Sequence, residues 1–304
     1  MNNQYWRELE KDQKVLYLFA IFGLIIGAVS VVIFIVEGGP LTGTVSWRKP
    51  ILFSISFSMI QINIAWLLSY LPVWRSRSLV TVGFIGWAVT LTLVFVFMQQ
   101  LRGTMSHFNW LTGAFNAVIA RLIILFAVLA CIGALVITFQ SYKSLSTGIP
   151  SALARTIRAG LVFFSTGNLM GFTIIANVVY LLFYLGRTDA NLYVAGEAGR
   201  ILLPHVIALY GLSFLSVAYW VISRLHTGEN CFNLITYWIY FYSGCIAWSI
   251  LQAYPGEHTS NFQMLSYTTL TLLVIAFVYG AYRTLHRTSH QKRVIQAVSS
   301  NRAG

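Results

Sequence analysis

The chain has 304 residues, 57% of them hydrophobic and only 9% charged, with a mean hydropathy of +0.72 and a formal net charge of +12. Soluble domains carry about 25% charged residues, so a chain this apolar cannot cover a water-facing surface and must lie mostly against lipid or other helices. In a soluble protein the positive balance would point to nucleic acid; here it reads as basic loops that hold orientation in a bilayer, so the lipid bilayer is the expected partner and nucleic acid is not. Cys131, Cys231 and Cys245 show no C-x-x-C spacing, which gives no basis for a disulfide framework or a cysteine metal site. No N-x-S/T sequon occurs, which leans away from a glycosylated eukaryotic surface protein.

The pattern predicts an all-α, polytopic transmembrane helical bundle of about eight spans, with seven possible and no soluble domain. Residues 1–14 form a polar N-terminal segment, residues 15–285 the bundle and residues 286–304 a basic tail. Span 1, about 15–36, is too long for a signal-peptide core and reads as a retained anchor. Its Gly23 and Gly27 are spaced i, i+4 and suit close packing against another helix. Span 2, about 50–71, opens on Pro50 and lines up Ser54, Ser58 and Gln61 on one face, which should point into the bundle. Span 3, about 79–101, runs into M-Q-Q-L-R-G-T-M-S-H-F-N; if the helix continues, Gln99, Arg102, Ser106 and Asn109 share one narrow arc.

Span 4, about 117–139, carries Arg121 in its first turn or so, and a polar loop with Lys143, Pro150, Arg155 and Arg158 follows. Span 5, about 159–185, holds Gly167-x-x-x-Gly171, Asn168 and Asn177. Span 6, about 201–222, begins with Pro204-His205, and span 7, about 233–251, is dense in Tyr and Trp. Span 8 is about 264–285. No internal repeat and no clearly broken helix pair of the transporter kind is visible.

With eight spans both termini share a side. That side holds Arg7, Lys11, Lys14, Arg75, Arg77, Lys143, Arg155, Arg158, Arg224, Arg283, Arg287, Lys292, Arg293 and Arg302, fourteen of the twenty basic residues. The other six are Arg48, Lys49, Arg102, Arg121, Arg187 and Arg200, so the termini are expected in the cytoplasm of what reads as a bacterial inner membrane.

The six exceptions cluster with other polar groups. Lys49 opens span 2; Gln99, Arg102, Ser106, His107 and Asn109 close span 3; Arg121 lies near the start of span 4; Glu197, Arg200 and His205 stand at the start of span 6. These ten residues form the expected outer-side ligand site. Arg48, Lys49 and Arg102 can equally snorkel to headgroups. Arg121, inside its span, needs Glu197, a phosphate or a backbone carbonyl. His205 can serve as a packed histidine, and Gln61 and Asn168 as glue between helices.

The strings S-W-R-K-P-I-L-F, Q-L-R-G-T-M-S-H-F-N and L-P-H-V-I-A-L-Y together resemble an uncharacterised family of bacterial multi-span membrane proteins, whose pattern is W-x-K-P-x-x-F, R-G-x-x-S-H-F-N and P-H-F-x-x-L-H. The resemblance reaches from span 2 to span 6. It singles out Trp47, Lys49, Pro50, Phe53, Arg102, Gly103, Ser106, His107, Phe108, Asn109, Pro204 and His205. Val206 stands in place of the pattern's phenylalanine and Tyr210 in place of its second histidine. The resemblance brings no activity with it.

Three functions compete. The first is binding or transport of a small anionic ligand on the outer side, with Lys49, Arg102, Arg121 and Arg200 supplying charge. The second is a redox protein in which His107 and His205 ligate haem or a metal, with His258 and Glu257 as further donors. The third is an intramembrane enzyme acting on a lipid-borne substrate, with His107 as base, Ser106 or water as nucleophile, and Arg102 and Asn109 stabilising negative charge. On a helix, neighbours such as Ser106 and His107 do not face each other, so a Ser106–His205 contact across helices is the better expectation for that chemistry.

Overall fold

The computed structural model describes residues 9–41, 45–183, 186, 202–253, 268–269, 271–272, 274–280 and 282. Regular structure among the described residues is helical throughout: α1 (Lys11–Glu37), α2 (Arg48–Leu67, closed by a 3-10 turn at Leu68–Tyr70), α3 (Leu79–Leu101), α4 (Ala114–Lys143), α5 (Ser151–Phe183), α6 (Leu202–Leu209), α7 (Gly211–Leu225) and α8 (Gly228–Ala253). Among the described residues α1 to α5 and α8 are each long and apolar enough to cross a membrane, and α6 and α7 together make a further crossing if they are one span. The chain is an integral membrane protein with several helical crossings. Glu197, Arg200, Glu257, His258 and most of the expected span 8 lie outside the described residues.

Several helices outrun the apolar stretches that announced them. The apolar run marks the hydrocarbon crossing, whereas backbone hydrogen bonding carries a helix on into polar residues. Thus α5 begins at Ser151, and Arg155 and Arg158, expected in a loop, lie on the helix. A larger correction concerns span 6. It is bent by 40° between α6 and α7, at Tyr210, so a broken helix is present after all.

The chain divides into two compact units, Met1–Thr147 with Gly171–Tyr193, and Gly148–Met170 with Val194–Gly304. In the first, α1 and α2 pack with small residues at the crossing. A β-carbon on Gly23 would lie 2.5 Å from Ser58 Oγ, and one on Gly27 2.9 Å from Ser54 Cβ. The expected glycine pair is therefore the helix contact. Ser58 donates to the Ala20 carbonyl at 2.8 Å across that contact. Gln61 donates to Thr90 Oγ1 at 3.0 Å, joining α2 to α3. Both serve as glue inside the bundle.

The first half of α3, Leu79–Trp87, winds as a π-helix, whose wider turn closes i to i+5. Here Gly86 abuts α1, where a β-carbon would meet Leu16 and Phe19 at 3.0–3.1 Å. On α4, a β-carbon on Gly133 would sit 2.6 Å from Ile85. At the end of this unit remote from residues 102–113, buried Arg77 pairs with Glu10 at 2.8 Å and donates to the Leu68 carbonyl. Beside it Ser78 donates to Asp12. Gln13 accepts from the Glu10 backbone and donates to Ala65 O and Ser69 Oγ, so one side chain both caps α1 and ties it to α2.

In the second unit, Ala152 of α5 packs with Cys231 and Ile235 of α8. Ala208, Tyr242 and Ile246 form a second cluster with Phe163, Met170 and Ile207. A β-carbon on Gly167 would lie 2.5 Å from the Leu209 backbone nitrogen, so α5 and the end of α6 touch backbone to backbone. Arg155 donates to Thr236 Oγ1 at 2.7 Å and lies over the Phe232 ring.

Candidate functional site

The polar string at the end of span 3 does not continue the helix. α3 stops at Leu101, Gly103 takes φ 63°, and the chain runs as a loop to Gly113 at φ 121° before α4 begins. The expected single arc of Gln99, Arg102, Ser106 and Asn109 is therefore absent. Positive φ at Gly103 and Gly113 suits glycine, whereas Phe108 holds φ 57° with a side chain, a conformation uncommon away from glycine.

Polar contacts within the loop and with the two flanking helix ends organise it. Gln99, fully buried, donates to Asn116 Oδ1 at 3.2 Å. Arg102 Nη1 donates to Gln99 Oε1 at 2.6 Å and to Asn116 Oδ1 at 2.9 Å, and its guanidinium lies 4.5 Å from the centre of the Phe115 ring. Thr104 donates to Gln99 Oε1 at 3.1 Å. Asn116 in turn donates to Thr112 Oγ1 at 3.0 Å, Thr112 donates to Asn109 Oδ1, and Asn109 donates to Met105 O at 3.2 Å. Arg102, through Nη1, and Asn109 thus help to hold the loop. Asn116, expected at this level from the start of span 4, completes the frame with Thr104, Thr112 and Phe115, whose separation along the chain gave no spacing signal that could have found them.

Within this frame two of the three resembling strings meet. The His107 ring packs on Phe53 of α2, with centroids 5.3 Å apart. Lys49 lies one helical turn before Phe53 and is half-buried. Burial first, and the positive charge of Lys49 second, lower the His107 pKa to about 4, so the imidazole is neutral at physiological pH. Ser106 Oγ lies 2.7 Å from His107 Nδ1. The two are neighbours in a loop rather than on a helix, so the contact that helical geometry forbids is made. The start of the α2 string adds Ser46, whose buried hydroxyl has no hydrogen-bond partner among the described residues.

Arg121 and His205, two further expected site residues, have surroundings of their own. Arg121 is seven residues into α4, about two turns rather than one, and is exposed beside an open groove lined with Trp110, Ile124, Leu125, Val128 and Val179. His205 Nδ1 lies 2.7 Å from the Gly167 carbonyl, which obliges that nitrogen to carry the proton and donate. His205 thereby ties α6 to α5 within the second unit. Asn168 donates back to Phe164 O on its own helix. Asn177 has a described backbone but its side chain lies outside the described residues. Among the described residues no three His, Cys, Asp or Glu side chains gather as a metal site requires.

No protein-family model, curated protein or solved structure matches the chain.

Proposed function

We propose that this chain is an eight-span protein of a bacterial cytoplasmic membrane, with both termini in the cytoplasm, whose outer-side loop 102–113 binds a small anionic ligand together with the start of α2. The resemblance of the W-R-K-P and R-G-T-M-S-H-F-N strings to a family of bacterial multi-span proteins supports this reading, as does the excess of basic residues on the side of the termini. The single observation that carries it is the packing of the His107 ring on Phe53, one helical turn after Lys49. In this reading Ser106 donates to Nδ1, so the neutral imidazole carries its proton on Nε2 and offers it as a donor on the side of the helix start that bears Lys49. A carboxylate or phosphate oxygen is the group that accepts from both. Arg102 enters this reading as the scaffold of the loop rather than as the ligand's counter-charge.

Thermal unfolding of the detergent-solubilised chain with inorganic phosphate, sulfate, acetate and succinate is the test. Stabilisation by at least one of these anions, reduced about tenfold in apparent affinity by Lys49→Gln and by His107→Gln, is expected for charged hydrogen bonds worth about 1.5–3 kcal/mol each. No response to any of the four, or a response untouched by both variants, overturns the reading.

The Ser106–His107 contact favours a second reading, an acyl- or phosphoryl-transfer enzyme with Ser106 as nucleophile. It ranks second because Ser106 is 4% exposed. A fluorophosphonate probe that labels wild type but neither Ser106→Ala nor His107→Ala would promote it, and a chain that takes no label would remove it.

A further inference from the structure

The groove on α4 carries an observation independent of the Lys49–His107 reading. It encloses about 510 Å³ between Trp110 of the loop, the α4 stripe Arg121, Ile124, Leu125 and Val128, and Val179 of α5. Arg121 is exposed, and it forms no hydrogen bond or ion pair with any described residue. An arginine inside an apolar span with no carboxylate partner among the described residues calls for an anion.

The geometry says where that anion must lie. Side chains on a helix lean toward its N-terminus, and the N-terminus of α4 is the end that joins the loop. Arg121 therefore reaches back toward Trp110, a residue type that settles at the membrane–water interface. Below it Ile124, Leu125 and Val128 run on in the opposite direction for about 10 Å, at 1.5 Å per residue, and offer only apolar surface. One end of the groove is cationic and interfacial, and the remainder is apolar and open to the side.

We propose that this groove is a binding site for an anionic phospholipid, with the headgroup phosphate on the Arg121 guanidinium and an acyl chain along Ile124, Leu125, Val128 and Val179. A soluble phosphate would use only the upper end. A lipid uses both, and it reaches the groove from the bilayer without crossing water. Guanidinium also suits this role better than ammonium, because its planar fork meets two phosphate oxygens at once.

Native mass spectrometry of the full chain, released from detergent with equimolar phosphatidylglycerol and phosphatidylcholine of the same acyl chains, tests the proposal. Wild type is expected to retain phosphatidylglycerol preferentially. Arg121→Gln should lower that adduct about fivefold, the effect of one basic residue on an anionic lipid. Arg121→Lys, which keeps the charge and loses the fork, should retain more of it than Arg121→Gln and less than wild type. Val128→Trp, which fills the groove while leaving Arg121 in place, should lower it too. Arg224→Gln, at an arginine stacked on Trp220, is the control and should change nothing. Equal retention of the two lipids by wild type, or adducts unchanged in both Arg121→Gln and Val128→Trp, overturns the site. So does displacement of the lipid by glycerol phosphate at the lipid's own concentration, since the headgroup alone would then suffice. A Leu125→Cys variant that forms a disulfide-linked dimer in its native membrane also overturns it, because a second copy of the chain would then cover the groove.

Discussion

The proton on His107 is governed by its surroundings on two elements. The loop buries the ring, and α2 brings the Lys49 charge to it, so the folded pKa falls from 6.5 to about 4. Between those values the unfolded chain binds more protons than the folded one, and stability therefore rises with pH across that window. The contribution of neutral His107 is complete above pH 6.5 and is lost as pH falls toward 4. Melting temperatures of wild type and His107→Gln between pH 4 and 7.5 are expected to diverge at the high end and converge at the low end. Parallel curves would rule out a folded-state shift. Lys49→Gln should move the His107 titration upward, read from its ring proton resonances. Arg102 makes the opposite point about charge. Its Nη1 bridges Gln99 and Asn116, so Arg102→Ala leaves buried Gln99 and Asn116 short of a donor and should cost about 1–3 kcal/mol in thermal unfolding. Proteolytic cleavage within loop 102–113 should rise with it. A stable, uncleaved variant that merely loses anion binding would return Arg102 to the ligand.

Glycine placement decides how closely elements approach, and the two units use it differently. At Gly23 the group in the way of a β-carbon is Ser58 Oγ, the tip of a side chain that can turn aside at the expense of its bond to Ala20 O. At Gly167 it is the Leu209 backbone nitrogen, which can yield only if α6 moves. Gly23→Ala should therefore cost about 1–2 kcal/mol and Gly167→Ala about 3 kcal/mol or more, the range for overpacked cores. Thermal unfolding in one detergent compares them, and equal costs would mean that α6 shifts freely. The Gly23–Gly27 contact was legible because an i, i+4 pair of small residues has one common use in a span. The bend at Tyr210 was not, because the apolar run passes through it unbroken. The available signal was Gly211 directly after it, against which Phe163 is pressed.

Over the whole molecule, what the sequence carried plainly was the class. Runs of about twenty apolar residues have few alternatives to membrane helices. The candidate site was legible only as a neighbourhood. That Lys49 and Phe53 face His107 depends on how α2 lies against loop 102–113, and Ser106 reaches His107 only because α3 ends at Leu101. No periodicity encodes either fact. The side of the membrane on which this neighbourhood lies rests on the basic-residue asymmetry, and it makes a prediction of its own. Helices α1 to α4 alternate in direction, so loop 102–113 and the segment joining α4 to α5 belong to opposite faces. Leu111 is exposed in the first and Thr147 in the second. In a chain with its three native cysteines replaced by serine, Leu111→Cys should react with a membrane-impermeant maleimide on intact spheroplasts. Thr147→Cys should react only after permeabilisation. The reverse pattern would put Lys49 and His107 on the cytoplasmic face, where a metabolite pool replaces the periplasmic one as the source of anions. Labelling of both positions from one side would break the alternation itself, and with it the reading of α1 to α4 as four complete crossings.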